Sequence, residues 1–147
     1  MKNDIQSVIY WDSSAILSAL FKDTRSEEAI EWSQKKGVHL ISTLAYAEVC
    51  AVIIRLKRER ILADVLVNAA FEVLEQGPWR HLNILPEWDE IKILSQKWSL
   101  RGADLWHLVA AKTLQSQIPE LELLTFDKRL MSAVKKEHLF TKNTHSA

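Results

Sequence analysis

Short apolar segments alternate with longer helical segments along most of this 147-residue chain. Four of the short segments predict buried strands over residues 7–11, 38–41, 81–85 and 121–125. Capping residues and helix stops between them predict helices in the connections. An alternation of strand and helix favours a parallel sheet with helices on both faces, so we expect an α/β fold.

The length and composition of the chain fit a single domain. Hydrophobic residues make up 48% and charged residues 26% of the sequence, which is ordinary for a globular protein. We expect the domain to occupy residues 1–141 and a polar C-terminal tail to follow over residues 142–147. The segment 139–141 is a candidate for a short additional strand at the edge of the sheet.

Charge and cysteine content limit the possible partners and location. The chain has 19 basic and 19 acidic residues, so any binding to nucleic acid needs a local basic patch. The single cysteine, Cys50, excludes an internal disulfide. No apolar run approaches the roughly 20 residues that cross a bilayer, and the N-terminus lacks the pattern of a signal peptide. We therefore expect a cytoplasmic protein that does not bind membranes.

Four carboxylates lie within apolar sequence, which is an unusual place for them. An ionised carboxylate is costly to bury unless it is paired or binds a metal ion. Four such residues, spread along the chain, suggest that they converge on one site: Asp12, Glu48, Asp104 and Asp127. A hard divalent cation such as Mg²⁺ is the partner that carboxylate oxygens favour.

The predicted elements bring three of these acids toward one edge of the sheet. Asp12 and Asp127 follow the first and fourth predicted strands, so both should project at the carboxyl edge, where open α/β sheets bind ligands. Asp104 falls in the first turn of its predicted helix, where the helix dipole favours an anion. Ser13 or Ser14 is the predicted cap of the first helix.

Glu48 is distinguished by its helical neighbours. The residues one helical turn away on either side are all apolar: Leu44, Ala45, Ala51 and Val52. Asp64 also has apolar neighbours, but its stripe continues through polar residues and predicts an exposed face. Any one of the four acids could equally be a helix cap or part of a buried ion pair. Together they favour a shared site.

The four segments that carry these acids resemble the motifs of PIN-domain proteins, and within that superfamily those of VapC-type toxin ribonucleases. They are residues 9–17, 47–49, 100–111 and 124–130. Each segment alone is a weak signal, although the last two are more specific. Their order, spacing and total length match together, and the resemblance covers nearly the whole chain.

The resemblance implies a three-layer fold with a central parallel sheet in the order 3-2-1-4-5. It implies an endoribonuclease that uses Mg²⁺ or Mn²⁺, forms a homodimer and is neutralised by a small antitoxin protein. It also implies that the four acids are catalytic and bind metal. We expect Asp12, Asp104 and Asp127 to lie closest to the ion, while Glu48 either binds it through water or orients the attacking water.

Several other residues are candidates for supporting roles. The resemblance matches Ser14 and Thr125 to hydroxyl residues beside the first and last acids, and we expect them to hydrogen-bond the metal-binding carboxylates. Lys128, Arg129 and Arg101 are candidates to contact RNA phosphates. His107 lies one helical turn beyond Asp104 and could hydrogen-bond within the site, but the interpretation as a packing residue is favoured. The basic run 55–60 is better explained by the helix dipole at a helix end.

Alternative functions remain open at this point. One is a PIN-like scaffold that binds RNA or protein without cleaving it, although the presence of all four acids counts against it. Another is an RNA-processing nuclease that is not a toxin. A phosphatase of the haloacid-dehalogenase type would use Asp12 as nucleophile, but that chemistry requires Asp-x-Asp, and Ser14 occupies the second position.

Overall fold

A computed structural model describes residues 6–140, in which strands and helices alternate. The strands are β1 (Val8–Trp11), β2 (Val38–Ser42), β3 (Trp79–Leu82) and β4 (Leu121–Leu124). The helices are α1 (Ser13–Leu20), α2 (Ser26–Ser33), α3 (Thr43–Arg58), α4 (Asp64–Gln76), α5 (Trp88–Lys97), α6 (Gly102–Gln115) and α7 (Lys128–Lys136). The tail expected over 142–147 lies outside the described residues, and the domain boundaries stay a prediction.

The strands form one parallel sheet in the order β3-β2-β1-β4. β1 is central, and Trp11 pairs with Ile41 of β2 on one side and with Leu124 of β4 on the other. The predicted α/β class, parallel sheet and order of these four strands are therefore confirmed. Because every connection crosses from one end of the sheet to the other, all strands end at the same edge.

The expected fifth strand is wrong within the described residues, since the sheet there has four strands. Residues 139 and 140 follow a turn at His138, whose φ of 61° breaks the end of α7. The Leu139 carbonyl accepts one hydrogen bond from the Leu123 amide at 2.9 Å, on the free side of β4. A single bond of this kind continues the edge without building a strand, and residue 141 lies outside the described range.

Side chains along β1 point alternately to the two faces of the sheet, and helices pack on both faces, which gives three layers. Ile9 and Trp11 point to one face of the sheet, where α1 to α4 pack, while Val8 and Tyr10 point to the other, where α5 to α7 pack. All four side chains are buried. Burial of a large apolar side chain contributes about 1.5–3 kcal/mol, so the central strand binds the two helical layers into one structure.

The boundaries of several elements differ from the predictions. The third strand was predicted over 81–85 but begins at Trp79. The backbone of Trp79 pairs with His39 of β2, and its buried indole packs edge-on against Trp11. The helix α2 ends at Ser33. The chain then reaches Gly37, whose φ of 144° and close approach to the Ser7 carbonyl leave no room for a side chain.

Membrane insertion has no support in the helices of the described region. None of them combines the length and the hydrophobicity that crossing a bilayer requires.

Candidate functional site

The carboxyl ends of β1 and β4 meet at the candidate site. The Asp12 amide donates to the Leu124 carbonyl at 3.1 Å, so the pairing of the two strands continues one residue beyond β1. Thr125 follows β4 directly, and Asp127 stands two residues further along, at the start of α7. The neighbouring ends of two parallel strands therefore bring Asp12 and the segment from Thr125 to Asp127 to one edge, as the sequence predicted.

Asp12 is held on both carboxylate oxygens. Its Oδ1 accepts from the Ser14 hydroxyl at 2.7 Å and from the Ala15 amide at 2.9 Å, and its Oδ2 accepts from the Thr125 hydroxyl at 2.5 Å. The side chain is 2% exposed. The bond to Ala15 makes Asp12 the N-cap of α1, so the prediction that Ser13 or Ser14 caps this helix was wrong. The Ser14 hydroxyl instead binds the capping acid.

Two hydroxyls connect Asp12 to the loop after β4. The Ser14 hydroxyl accepts from the Phe126 amide at 3.0 Å, and the Thr125 hydroxyl accepts from the Asp127 amide at 3.0 Å. Asp127 Oδ1 in turn accepts from the Leu130 amide at 2.9 Å and caps α7. The starts of α1 and α7 are thus fixed relative to each other by one continuous set of hydrogen bonds around Asp12.

Burial and neighbouring groups shift the ionisation of two of the acids, Asp12 and Asp104. Burial is the main cause that raises the pKa of Asp12, and the bonds from Thr125, Ala15 and Ser14 only partly offset it. Burial also raises the pKa of Asp104, and the charges of Asp127 and Glu48 raise it further. Mutual repulsion of this kind requires that Asp104, Asp127 and Glu48, from three separate elements, lie within electrostatic range of one another.

Glu48 is held by a buried histidine. His107 Nε2 lies 2.8 Å from Glu48 Oε1, and His107 Nδ1 lies 2.6 Å from the Tyr10 hydroxyl. An ionised carboxylate only accepts hydrogen bonds, so we assign a proton to Nε2; a neutral imidazole then accepts from Tyr10 at Nδ1. Burial raises the pKa of Tyr10 and keeps it a neutral donor. The interpretation of His107 as a packing residue was therefore incomplete.

The chain from Tyr10 through His107 to Glu48 was missed because it crosses three elements. Tyr10 belongs to β1, His107 to α6 and Glu48 to α3, and pairing across such distances leaves no local sequence signal. One signal was available on α6 itself, since Asp104 and His107 are three residues apart and share a helical face.

The described carboxylates do not form a finished metal cage. Within residues 6–140, no three His, Cys, Asp or Glu side chains are placed to hold one metal ion together. The donor chemistry nevertheless fits a hard cation, because the neighbouring acids raise the pKa of Asp104 and a cation would offset that repulsion. Mg²⁺ keeps several of its waters and is bound by few carboxylates, so such a site does not need three direct protein ligands.

The three candidate RNA-binding residues occupy different places. Arg101 precedes α6, is exposed, and its charge lowers the pKa of Asp104. Lys128 and Arg129 are both exposed at the start of α7. Lys128 lines a groove of about 300 Å³ that reaches Thr125, whereas Arg129 is not among the residues that line it. Lys128 and Arg101 therefore lie beside the carboxylates, and Arg129 lies on another face of α7.

Solved structures with a similar fold come from several organisms. VapC20 of Mycobacterium tuberculosis, a Sarcin-Ricin loop cleaving toxin, is 17% identical, with a TM-score of 0.55 over 85% of this chain and 94% of that one. PAE2754 of Pyrobaculum aerophilum is 18% identical, with a TM-score of 0.59 over 90% and 85% of the two chains. VapBC2 of Rickettsia felis, solved with a DNA fragment from its promoter, is 15% identical, with a TM-score of 0.53 over 82% of this chain and 99% of that one. At these identities the likeness is one of fold.

Sequence comparison identifies the family. A search of curated proteins gave no match. The model of the PIN domain, in contrast, matches residues 9–137, a range that includes all four candidate acids and every strand of the sheet except the first residue of β1. The match covers most of the chain and agrees with the fold and with the motifs that first suggested it. The chain belongs to the PIN-domain family.

Proposed function

We propose that this chain is a metal-dependent endoribonuclease that hydrolyses RNA phosphodiester bonds, and that it is the toxin of a type II toxin–antitoxin pair. One observation carries the proposal: Asp104 is half-buried within electrostatic range of Asp127 and Glu48, and burial together with these two charges raises its pKa. Acids from three elements whose repulsion Arg101 offsets only in part have the electrostatics of a cation site. Membership of the PIN-domain family supports the choice of a nuclease.

Each acid has a proposed role. Asp12, Asp104 and Asp127 would hold Mg²⁺ or Mn²⁺, and Glu48 would bind the ion through water or orient the attacking water. When bound, the divalent cation would lower the pKa of a bound water and offset charge on the phosphate oxygens. Glu48 is suited to orienting water because only Oε1 contacts His107 and its side chain is 31% exposed.

The supporting residues would keep these acids in position. The hydroxyls of Ser14 and Thr125 occupy one oxygen each of Asp12, which fixes the plane of that carboxylate. His107 likewise holds one oxygen of Glu48 by a hydrogen bond. Fixed carboxylates need no reorganisation when charge develops on the substrate, which is the main way that such sites accelerate a reaction.

The biological setting is proposed from the likeness of fold. VapC20 is described as a toxin, and VapBC2 was solved with a fragment of its own promoter. By analogy, this chain would form a homodimer, pair with a small antitoxin protein and act in the cytoplasm. A PIN-like scaffold that does not cleave RNA is the weaker alternative, because it would have no use for a set of mutually repelling acids.

The proposal is tested by RNA cleavage with Mg²⁺ or Mn²⁺, with and without EDTA. Asp12→Asn and Asp104→Asn should each lower the cleavage rate by about 100-fold or more, since both remove charge from the cation site. Asp64→Asn is the matched control. Asp64 is exposed on α4, and its substitution removes the same charge outside the four motifs.

A second readout does not depend on activity. Mn²⁺ should raise the unfolding temperature of the wild type and of Asp64→Asn, but not of Asp12→Asn, since an ion that binds only the folded state stabilises it. Cleavage that persists in EDTA, or equal rates in all variants, would reject the metal-dependent mechanism.

A further inference from the structure

A basic groove opens beside the candidate site. It has a volume of about 300 Å³, and its lining includes Arg25, Thr125, Phe126, Lys128, Ser132 and Lys135. We call it the α7 groove. Thr125 is one of the lining residues, and its hydroxyl donates to Asp12. The α7 groove therefore adjoins the carboxylates, and no local sequence pattern connects Arg25 or Lys135 with them.

One wall of the groove is a single face of α7. Lys128, Ser132 and Lys135 are spaced by four and three residues, which places them in one row. At a rise of 1.5 Å per residue, the two lysines are about 10 Å apart along the helix. Both are exposed, and within residues 6–140 neither forms an ion pair. Neither charge is therefore neutralised by a carboxylate, although the Lys135 ammonium lies 5.9 Å from the centre of the Phe140 ring.

The opposite wall carries a fixed arginine. The Arg25 guanidinium stacks on the Phe126 ring at 4.2 Å, and its Nη2 lies 2.7 Å from Glu28 Oε2. Stacking and ion pairing hold the group at the groove while leaving other N–H donors for a ligand. The residues that line the groove include three cations and no carboxylate, in a chain whose net charge is zero.

We propose that the α7 groove binds the RNA backbone next to the bond that is cut, an inference that rests on the proposed ribonuclease function. Lysines two helical turns apart, with a serine hydroxyl between them, suit successive phosphates of a single strand. Arg25 covers one face of Phe126, so that face is closed to base stacking. The groove therefore reads the charge of the backbone and not the sequence of the bases.

An acidic peptide is the other ligand that three cations could bind. RNA is favoured because Thr125, which lines the groove, donates to Asp12, so a strand bound there would lie next to the acids that the proposed cleavage uses. A peptide would gain nothing from that connection. The two ligands make different predictions for the same variants, so binding measurements separate them.

The test measures binding of short, unstructured RNAs to an Asp104→Asn background by fluorescence anisotropy over a range of salt concentrations. Lys128→Ala, Lys135→Ala and Arg25→Gln should each reduce the slope of log K against log[salt] by about 0.7, which is about fivefold in affinity at 0.1 M salt. The loss should be equal for unrelated RNA sequences. Arg25→Lys keeps the charge and should retain most of the slope.

A matched control lies on the same helix. Lys136→Ala removes the same charge from the neighbouring row of α7, outside the groove, and should leave the slope unchanged. Equal effects in both rows would overturn the proposal. So would a result in which the groove variants lose binding to polyglutamate but keep binding to RNA. All substituted lysines are exposed, so unfolding temperatures should stay at the parent value.

Cleavage kinetics separate failure of the groove from failure of the function. If the groove is right, its variants with Asp104 intact raise KM and leave kcat near the wild-type value. If the groove variants keep the wild-type KM in an active, metal-dependent enzyme, the proposal for the groove is rejected and the proposed ribonuclease function stands. Groove-dependent RNA binding by a wild type that cleaves no RNA supports the groove and rejects the ribonuclease.

Discussion

Asp12 and Glu137 are buried to a similar extent, with 2% and 6% of each residue exposed, yet their surroundings differ in kind. Glu137 accepts from two lysines, Lys97 and Lys112, and from the Trp98 indole, at 2.6–2.9 Å. Asp12 accepts from two hydroxyls and an amide, all of them neutral.

The pKa values of the two acids move in opposite directions. Burial would raise the pKa of Glu137, but the bonds from Lys112, Lys97 and Trp98 outweigh it and lower the pKa to about 2. For Asp12, burial outweighs the neutral donors and the pKa rises. The protein thus supplies cations where a carboxylate has a structural role and omits them at Asp12. Under the proposed function, the bound cation would supply the countercharge that Asp12 lacks.

Neutralising Glu137 should have the largest effect on stability of the variants that test this difference between the two acids. Glu137→Gln should lower the free energy of unfolding by about 3 kcal/mol at pH 7, because it weakens three charge-assisted bonds at once. RNA cleavage should be unaffected, since Glu137 lies at the end of α7, far along the helix from Asp127. Urea denaturation and a cleavage assay measure the two effects.

The same variant has a defined pH dependence. The folded-state pKa of Glu137 is lowered to about 2, so its stabilisation is present above the unfolded pKa of about 4.5 and is lost as the pH falls toward 2. The difference between wild type and Glu137→Gln should therefore be constant above about pH 5 and close to zero at pH 2. A difference that does not change with pH would contradict the assignment.

A smaller effect is expected when Asp12 loses a neutral donor. Thr125→Val removes the hydroxyl that donates to Asp12 and accepts from the Asp127 amide, and should cost about 2 kcal/mol of stability and tenfold or more in cleavage rate. Thr113→Val is the control, because that hydroxyl donates only to the Val109 carbonyl of its own helix. Equal loss of cleavage in both variants would mean that Thr125 does not position the acid.

The smallest effect is expected at the other end of the site, where His107 holds Glu48. His107→Leu and His39→Leu each remove a buried histidine that bonds an aromatic residue of β1, Tyr10 or Trp11. Both should lose about 1 kcal/mol of stability. Only His107→Leu should also lower kcat, by about tenfold, because only it releases Glu48.

A second histidine variant distinguishes positioning from packing. His107→Gln keeps a donor toward Glu48 and should recover part of the rate. If the rates of His107→Leu and His39→Leu fall equally, the histidine contributes to packing alone.

Sequence patterns predicted those parts of the fold that depend on local order. The apolar segments and the strand–helix alternation predicted four strands in a parallel sheet, and the apolar neighbours of Glu48 separated it from the exposed Asp64. The order of the strands came from the resemblance to the PIN-domain family. The edge position of Asp12 and Asp127 followed from the strands alone. These features depend on hydrophobic periodicity, which a single sequence carries.

The features that were missed depend on contacts between distant segments. The bond from His107 to Glu48 joins α6 to α3, and Arg25 meets Phe126 across the fold. The cap of α1 was assigned to a serine because Ser and Asp are equally good caps, and only the contact with Thr125 decides between them. The prediction of a fifth strand was wrong because one backbone bond at Leu139 was not followed by others in the described residues.

The helix cap at Asp12 has a consequence for how a PIN-like chain could lose its activity. Asn and Ser cap helices about as well as Asp does, and neither pays the cost of burying a charge. A descendant freed from selection for cleavage would therefore drift to Asn or Ser at this position and keep its first helix intact. Drift to an aliphatic residue would cost the cap as well.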